Sequence, residues 1–559
     1  MKVDQVADLV QSASRQGRWT AWLDDLFLVA LLLALGWSSW PTGGGGELPF
    51  WATLHDQLVS GPDAGAWASG ARALAAGRLD ALEAHRMPTW IVLTAAAHKI
   101  YPVALAGHFV NHALQLLLPV VVYGVGRLSG GRMVGFGAGI LVACCPPLVA
   151  ASRRFGVDPA VGFFVVLMVL TCLWASKRWK WAPVAGAVGA LASATHFTAL
   201  GFGVAGLFAM LLIGRGWKRW AQAGGYLLGF SLVWAVLFSV FPWAGFSGLF
   251  LAIPEGITPG EFALDSTPEA VWGPALEVMR ANASTAAEDA VAGMMRWLRP
   301  GWLPWGLGIF VLWMGVPGLE LEEPAPDTRG WRRWWSACSW KKGLVLLLCL
   351  APLPVLAAAS AEPRYSQNLL PVVAILLMRG CVSLARVVDQ VLRATPLGSR
   401  WPAGVLSLVL GLGLSLGYQS ETNVSSAQQP PPMFGTVAMR IGNMVAEHFP
   451  EPGGLVCDLR EAVIYTARDY CPRTVCPQSV NPATFSTCLA IMGAECAGEG
   501  PLPYVVLDRG VADERTEARV AFDSWVLSRW SEVADVKVGG FEARLVGIPR
   551  EELPSLAGP

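Results

Sequence analysis

The side chains best suited to chemistry are a few ionisable residues that stand between long apolar segments. They include carboxylates, histidines and cations, and all are expected on the outer side of the membrane: Asp56, Asp63, Glu83, His85, Arg86, Arg153, Arg154, Asp158, His196, Glu362, Arg364 and Tyr365. A carboxylate can take a proton from an acceptor hydroxyl, and cations can stabilise a phosphate as it leaves. This combination at a membrane face indicates transfer chemistry on a lipid-linked substrate.

The composition is that of a membrane protein. Of the 559 residues 54% are hydrophobic and 15% are charged, against about 25% charged in a soluble domain. One water-soluble core cannot bury so much apolar surface, so the bilayer must act as solvent. The net charge is zero and the chain has no dense basic patch, which argues against a nucleic-acid partner.

The apolar runs predict a polytopic α-helical membrane protein with about eleven spans. The predicted spans are 22–40, 104–126, 133–150, 159–176, 182–196, 198–214, 222–242, 303–319, 343–360, 368–385 and 403–418. Together they make a transmembrane domain over residues 22–418, preceded by a short segment, 1–21. Residues 89–102 are apolar but short, and are predicted to dip into the outer leaflet.

Lys and Arg fall on every second loop, which sets the orientation. The basic loops are those with Arg127/Arg132, Lys177/Arg178/Lys180, Arg215/Lys218/Arg219, Arg329/Arg332/Arg333/Lys341/Lys342 and Arg386/Arg393/Arg400. The N-terminus is therefore predicted to be cytoplasmic in the plasma (inner) membrane. Loops 41–103 and 243–302, and everything after Tyr418, are predicted to lie outside.

The first outer loop is predicted to carry a helix over Ala64–Ala76. Trp67, Ala71 and Leu74 share one face at helical spacing, and Gly77 ends the helix. Asp63 stands just before this helix, where a simple N-cap is the alternative to a site residue.

After a linker at 419–433, residues 434–559 have the composition of a soluble domain. Helices are predicted at 436–448 and 460–470, and a strand at 454–458. Strands at 503–508 and 536–546 flank a helix at 514–530. The prediction is a small extracytoplasmic α/β domain.

These motifs resemble the GT-C glycosyltransferases of the protein-mannosyltransferase and aminoarabinose-transferase type. The first match is Asp-x-x-x-Trp-x-x-x-Ala-x-x-Leu-x-x-Gly over residues 63–77, followed by His85 and Pro88. The segment 152–159, Ser-Arg-Arg-Phe-Gly-Val-Asp-Pro, is similar to the family's acidic second outer loop. The third match, Pro-Arg-Tyr at 363–365, resembles the segment that opens a late span.

The resemblance implies a role for each residue. Asp63 would be the catalytic base, and Asp158 would orient the acceptor or hold a metal. His85 and Arg86 would line the donor site, while Arg364 and Tyr365 would contact the lipid phosphate. The donor would be a polyprenyl-phosphate sugar, and transfer would invert the anomeric centre. The acceptor would be a glycan, a lipid or a protein, and a divalent metal at Asp63 and Asp158 stays open as a cofactor.

Some of these residues also have a purely structural interpretation. Asp158 precedes Pro159 at the start of a span, where a helix cap is equally natural, and Arg364 with Tyr365 would serve as interface anchors. The family often has Glu directly after the first Asp, where this chain has Ala64. A catalytically silent relative that binds glycan or lipid is therefore one alternative function, and a transporter is another.

Overall fold

The computed structural model describes the helical core of the chain and parts of its C-terminal region. The described residues are 23–37, 64–78, 87–100, 106–153, 156–196, 199–214, 216–241, 305–319, 338–350, 369–393, 433–451, 453–457, 466, 469–470, 485–486, 489–490, 500–507, 517–538 and 541–553.

Thirteen helices of the membrane domain and outer loop can be given bounds within these ranges. They are α1 (23–37), α2 (Ala64–Ala75), α3 (Pro88–Ile100), α4 (Ala106–Gly130), α5 (Arg132–Ala143), α6 (Pro146–Arg153), α7 (Asp158–Lys177), α8 (Ala182–Ser193), α9 (Leu200–Ile213), α10 (Lys218–Val240), α11 (Trp305–Gly315), α12 (Trp340–Leu350) and α13 (Leu370–Arg393).

Four helices of the described part are long and apolar enough to cross a membrane: Ala106–Gly130, Asp158–Lys177, Lys218–Val240 and Leu370–Asp389 within α13. A bilayer core of about 30 Å needs about 20 helical residues at 1.5 Å each. Each of the four overlaps a predicted span. The total of eleven stays a prediction, and the predicted span 403–418 lies outside the described residues.

The predicted span 133–150 is wrong as one continuous helix. Helix α5 ends at Ala143. Cys144 caps it, because its backbone N–H donates a hydrogen bond to the Ile140 carbonyl at 3.0 Å. Helix α6 then starts at Pro146. Proline lacks the amide hydrogen that an uninterrupted helix would use here and is favoured in a first turn, so the chain stops and restarts.

The first helix is fastened to the hairpin of α4 and α5 by Asp25. Its carboxylate lies 2.5 Å from an Arg127 nitrogen and 3.0 Å from the Arg132 Nε, and it accepts a 2.5 Å bond from the Tyr123 hydroxyl. These partners stand at the predicted cytoplasmic ends of their helices, where a charge cluster remains within reach of water and headgroups.

Helices α8 and α10 approach each other closely through small residues. A Cβ at Gly186 would lie 1.9 Å from the Tyr226 carbonyl oxygen, and one at Gly229 would lie 1.9 Å from the Pro183 carbonyl oxygen. The Tyr226 hydroxyl donates to the Gly203 carbonyl of α9 at 2.8 Å. Glycine at these contacts permits the close backbone packing that membrane helices use in place of a hydrophobic driving force.

Arg379 is a charged residue buried inside α13, with 1% of its surface exposed. Its Nε donates to the Gly315 carbonyl at 2.7 Å, and its Nη2 donates to the Ser339 hydroxyl at 2.8 Å. A further bond reaches the Ser129 carbonyl. Gly315 and Ser129 lie at the C-terminal ends of α11 and α4, where carbonyls lack partners within their own helix. One guanidinium therefore joins three chain segments.

We expect Arg379→Lys to lower the thermal unfolding midpoint of the purified protein. A lysine keeps the charge but lacks the planar fork that reaches several carbonyls at once, and each buried carbonyl left without a donor costs about 1–3 kcal/mol. The control is Arg440→Lys at an exposed position. Equal midpoints for the two variants would show that the Arg379 bonds contribute nothing.

The described part of the C-terminal region contains two helices and two small sheets. Helix α14 spans Met433–His448 and α15 spans Glu517–Arg529. Strands β1 (Gly454–Leu455) and β2 (Asp469–Tyr470) pair in parallel. Strands β3 (Leu502–Leu507), β4 (Glu532–Val538) and β5 (Phe541–Ile548) form an antiparallel sheet in the order β3–β5–β4.

Two expectations for this region are wrong in detail. The predicted helix 460–470 is contradicted at its end, where Asp469 and Tyr470 form β2. The predicted strand 536–546 is two strands, because Val538 pairs with Phe541 across the two residues between them. Those two residues are Gly-Gly, a sequence that favours a two-residue hairpin connection.

The chain divides into two compact units. One comprises residues 1–40, 113–150 and 158–428, and the other comprises 41–112, 151–157 and 429–559. The second unit joins the first predicted outer loop, a short segment before α7, and the C-terminal region.

Candidate active site

The described part of the chain includes one of the six residues to which the resemblance gives a role. Asp158 is the first residue of α7 and is half-buried, with Pro159 after it. A carboxylate in the first turn also interacts favourably with the helix dipole, so its position suits both the cap and the site interpretation. Asp63, His85, Arg86, Arg364 and Tyr365 lie outside the described residues.

The predicted outer-loop helix is confirmed, and it begins directly after Asp63 in sequence. Helix α2 runs from Ala64 to Ala75. Gly77, two residues after the helix end, has a φ of 79°, a left-handed conformation that glycine adopts at little cost. The Arg78 amide bonds to the Ala73 carbonyl at 2.8 Å and completes the helix end.

One buried cluster links the chain segments next to the candidate residues within the second unit. Trp67 of α2 and Trp90 of α3 pack edge to face, with ring centroids 5.5 Å apart and planes at 78°. The Trp90 indole Nε1 donates to the Asn111 Oδ1 at 2.8 Å. The Asn111 Nδ2 then donates to the Gly156 carbonyl at 2.8 Å. We call these four residues the aromatic–amide cluster.

Three members of the cluster are shielded from solvent, and the fourth, Gly156, is half-buried. Trp90 and Asn111 are fully buried, and Trp67 is 4% exposed. Hydrogen bonds that water cannot reach are strengthened by the low local dielectric, and losing one partner leaves the other unsatisfied. The bond between Trp90 and Asn111 joins α3 to α4.

The cluster matters because of where its members stand along the chain. Trp67 is one helical turn after Asp63, and Trp90 is four residues after Arg86. Gly156 is two residues before Asp158. Each of the three segments that carry these candidate residues therefore contributes a nearby residue to the aromatic–amide cluster.

The C-terminal region contacts the same helix. The Arg72 Nη1 of α2 donates to the Thr466 carbonyl at 2.5 Å, and Thr466 is buried. Helix α2 also packs against β2. The helix next to Asp63 is thus held on one side by Trp90 and on another by the C-terminal sheet. Sequence reasoning missed Arg72 as a contact residue, because its partner is a backbone carbonyl 394 residues away.

The described residues contain no group of three or more His, Cys, Asp or Glu side chains that could hold a metal ion. Of the two carboxylates proposed to share a metal, only Asp158 falls within this part of the chain.

Comparison with known proteins places the fold. The sequence profile of the dolichyl-phosphate-mannose-protein mannosyltransferase family matches residues 87–243, and no curated protein matches the chain. ArnT from Cupriavidus metallidurans bound to undecaprenyl phosphate is similar with a TM-score of 0.54 and 15% identity, over 97% of this chain and 99% of that chain. The chain has the fold of the GT-C membrane glycosyltransferases.

Two more solved structures are similar to this chain. The apo state of ArnT from Cupriavidus metallidurans gives a TM-score of 0.55 at 14% identity, over 97% of this chain and 100% of that chain. The oligosaccharyltransferase AglB from Archaeoglobus fulgidus, solved with an inhibitory peptide and a dolichol-phosphate, gives 0.47 at 10% identity. That match covers 81% of this chain and 65% of AglB, so the chain spans about two thirds of the archaeal protein's length. The fold that the motifs implied is confirmed by the two ArnT structures.

Proposed function

We propose that the protein transfers a sugar from a polyprenyl-phosphate carrier to an acceptor hydroxyl at the outer face of the membrane. The aromatic–amide cluster is the observation that carries this proposal. It ties the segments next to Asp63, Arg86 and Asp158 together inside a GT-C fold. The structure of ArnT with undecaprenyl phosphate supports a polyprenyl-phosphate ligand for this fold.

In the proposed reaction Asp63 removes the proton from the acceptor hydroxyl as its oxygen attacks the anomeric carbon. The bond between that carbon and the phosphate oxygen breaks on the opposite face, so the configuration inverts. The electron pair leaves with polyprenyl phosphate, whose charge is stabilised by His85, Arg86, Arg364 and Tyr365. The proton stays on the Asp63 carboxyl until solvent takes it.

The cluster contributes by fixing where the reacting groups stand. Trp90 fixes the start of α3, and the buried Met87 just before this helix is 2% exposed. Because consecutive Cα atoms lie about 3.8 Å apart, Arg86 beside Met87 is restricted. Anchoring Gly156 likewise restricts the chain leading to Asp158. Held geometry of this kind can supply a large part of a rate enhancement, and a displacement of 1 Å can cost about 100-fold.

The acceptor is proposed to be the hydroxyl of a glycan, a lipid or a protein. We propose that the site faces the outside of the inner membrane, with the N-terminus in the cytoplasm and residues 434–559 outside. The alternation of Lys and Arg between loops supports this orientation. Contact of α2 with the C-terminal sheet supports placing that region on the same side as Asp63.

The decisive experiment incubates the purified full chain in lipid nanodiscs with a panel of polyprenyl-phosphate sugars and acceptors, and measures released polyprenyl phosphate. Release that requires an acceptor supports the proposal. Donor binding without release would favour the silent relative. Absence of donor binding across the panel would contradict the proposal and favour a transporter.

We expect Asp158→Asn to raise the KM for the acceptor by about 10- to 100-fold, because a hydrogen bond to a charged group contributes about 1.5–3 kcal/mol. The KM for the donor should change little. The control is Asp535→Asn, an exposed carboxylate of β4. An unchanged acceptor KM would leave Asp158 as a helix cap. Titration with a chelator on the same preparations tests the metal role separately.

A further inference from the structure

A shallow apolar groove lies between α9 and α12 in the membrane domain. It has a volume of about 560 Å³ and is lined by Phe208, Leu211, Leu212, Leu344, Leu347 and Leu348; we call it the leucine groove. Phe208 is 54% exposed, and Leu344 and Leu347 are 38% and 37% exposed. The volume falls within the range of about 300–1,000 Å³ that is common for small-molecule pockets.

One end of the groove carries lysines on α12. Lys341 stands three residues before Leu344 and seven before Leu348, a spacing that puts all three on one face of a helix. Its side chain is exposed, and Lys342 follows it at the start of the helix. The groove wall on α12 therefore begins with a cation.

The wall on α9 ends beside another cation. Helix α9 ends at Ile213, immediately after Leu212. A Cβ added at Gly214 would lie 2.4 Å from the Cα of Arg219, which places Arg219 against this helix end. Its guanidinium carbon lies 5.3 Å from the centroid of the Trp220 ring.

The predicted topology puts the loops that hold Arg219 and Lys341 on the same side of the membrane, the cytoplasmic side. Exposed tryptophans mark this level: Trp217 is 74% exposed and Trp220 is 63% exposed. Such aromatic side chains favour the headgroup region. The groove thus runs from a basic, aromatic-rich interface into the hydrocarbon layer.

We propose that the leucine groove binds one acyl chain of an anionic phospholipid, with the lipid phosphate at Arg219 and Lys341. Basic pockets between membrane helices on the cytoplasmic side suit anionic headgroups. Seven residues from Lys341 to Leu348 span about 10 Å, so the groove takes the part of the chain nearest the headgroup. The proposed sugar transfer occurs at the other face, which separates this lipid site from the donor site.

The test is native mass spectrometry of the full chain titrated with phosphatidylglycerol or with phosphatidylcholine of identical acyl chains. A tenfold change in affinity corresponds to about 1.4 kcal/mol. On that scale, two cations near an anionic headgroup predict that phosphatidylglycerol binds about 30-fold more tightly than phosphatidylcholine. The double variant Arg219→Gln, Lys341→Gln should reduce the preference to about twofold or less. The matched control, Lys177→Gln with Arg178→Gln, removes two exposed cations at the end of α7, a helix that contributes no residue to the groove lining, and should keep the preference.

A second variant tests the acyl chain. Leu347→Trp places a larger, aromatic side chain in the groove at an exposed position and should weaken binding of phosphatidylglycerol severalfold. This test does not depend on whether the charge variant folds. Equal affinity for the two lipids in the wild type overturns the proposal, as does an unchanged preference in the double variant. Displacement of phosphatidylglycerol by equimolar polyprenyl phosphate, or by millimolar inorganic phosphate, would also overturn the proposed occupant.

Discussion

Asp63→Asn is expected to reduce sugar transfer by about 100- to 10,000-fold, the range typical of removing a positioned general base. Asparagine has nearly the same shape as aspartate but cannot accept the proton from the acceptor hydroxyl. The measurement is the initial rate of polyprenyl phosphate release in nanodiscs at saturating donor and acceptor. Donor affinity should stay within about twofold, because the proposed cations, not Asp63, hold the lipid phosphate.

The control for this experiment is Asp535→Asn, which removes an exposed carboxylate from β4 and should leave the rate unchanged. If Asp63→Asn binds donor normally and transfers at the wild-type rate, Asp63 is a helix cap and another base must serve. If the same variant loses donor binding and stability together, the residue is structural. A silent protein would show no release in either form.

The four long membrane helices could be predicted because apolar runs of sufficient length specify spans without reference to partners. The helix after Asp63 could be predicted for a similar reason, since the spacing of Trp67, Ala71 and Leu74 and the terminating Gly77 are local signals. Local signals were also present where the prediction failed. Pro146 interrupts a predicted span, and Gly-Gly at 539–540 divides a predicted strand.

The contacts of the site could be predicted only in part. The partners of Asn111 lie 21 and 45 residues away in the sequence, and their identity depends on how the helices pack. Arg379 was missed, although a charge inside an apolar run is itself a signal of a buried polar contact. Its acceptors are backbone carbonyls of α4 and α11 and the Ser339 side chain. Nothing in the sequence identifies these groups as partners of Arg379.

Asn111→Leu is the second large effect that we expect. Leucine fills a similar space but removes both amide bonds, which leaves the Trp90 indole N–H and the Gly156 carbonyl without this partner. Each loss costs about 1–3 kcal/mol when the group is buried, so the thermal unfolding midpoint should fall. The exposed Asn443 on α14 provides the matched control, Asn443→Leu, which should leave the midpoint unchanged.

The catalytic effect of Asn111→Leu should exceed the effect on the fraction of folded protein. Asn111 touches neither substrate in the proposed mechanism, so it is a positioning residue. Freeing the chain before Asp158 and the start of α3 should lower kcat by about 100-fold, measured on protein that remains folded at the assay temperature. Donor KM should change less than kcat, since the donor cations remain present.

Trp90→Phe distinguishes positioning from general destabilisation. It removes the indole N–H yet keeps an aromatic ring against Trp67, so it breaks one link of the cluster and retains most of the packing. Trp90 and Asn111 share a hydrogen bond. The loss of kcat in the double variant Trp90→Phe, Asn111→Leu, expressed as a free energy, should therefore be smaller than the sum of the free energies lost in the two single variants. Additive losses would mean that the two residues act independently. Unchanged kcat in a folded Asn111→Leu protein would mean that the aromatic–amide cluster maintains the fold without setting the geometry of transfer.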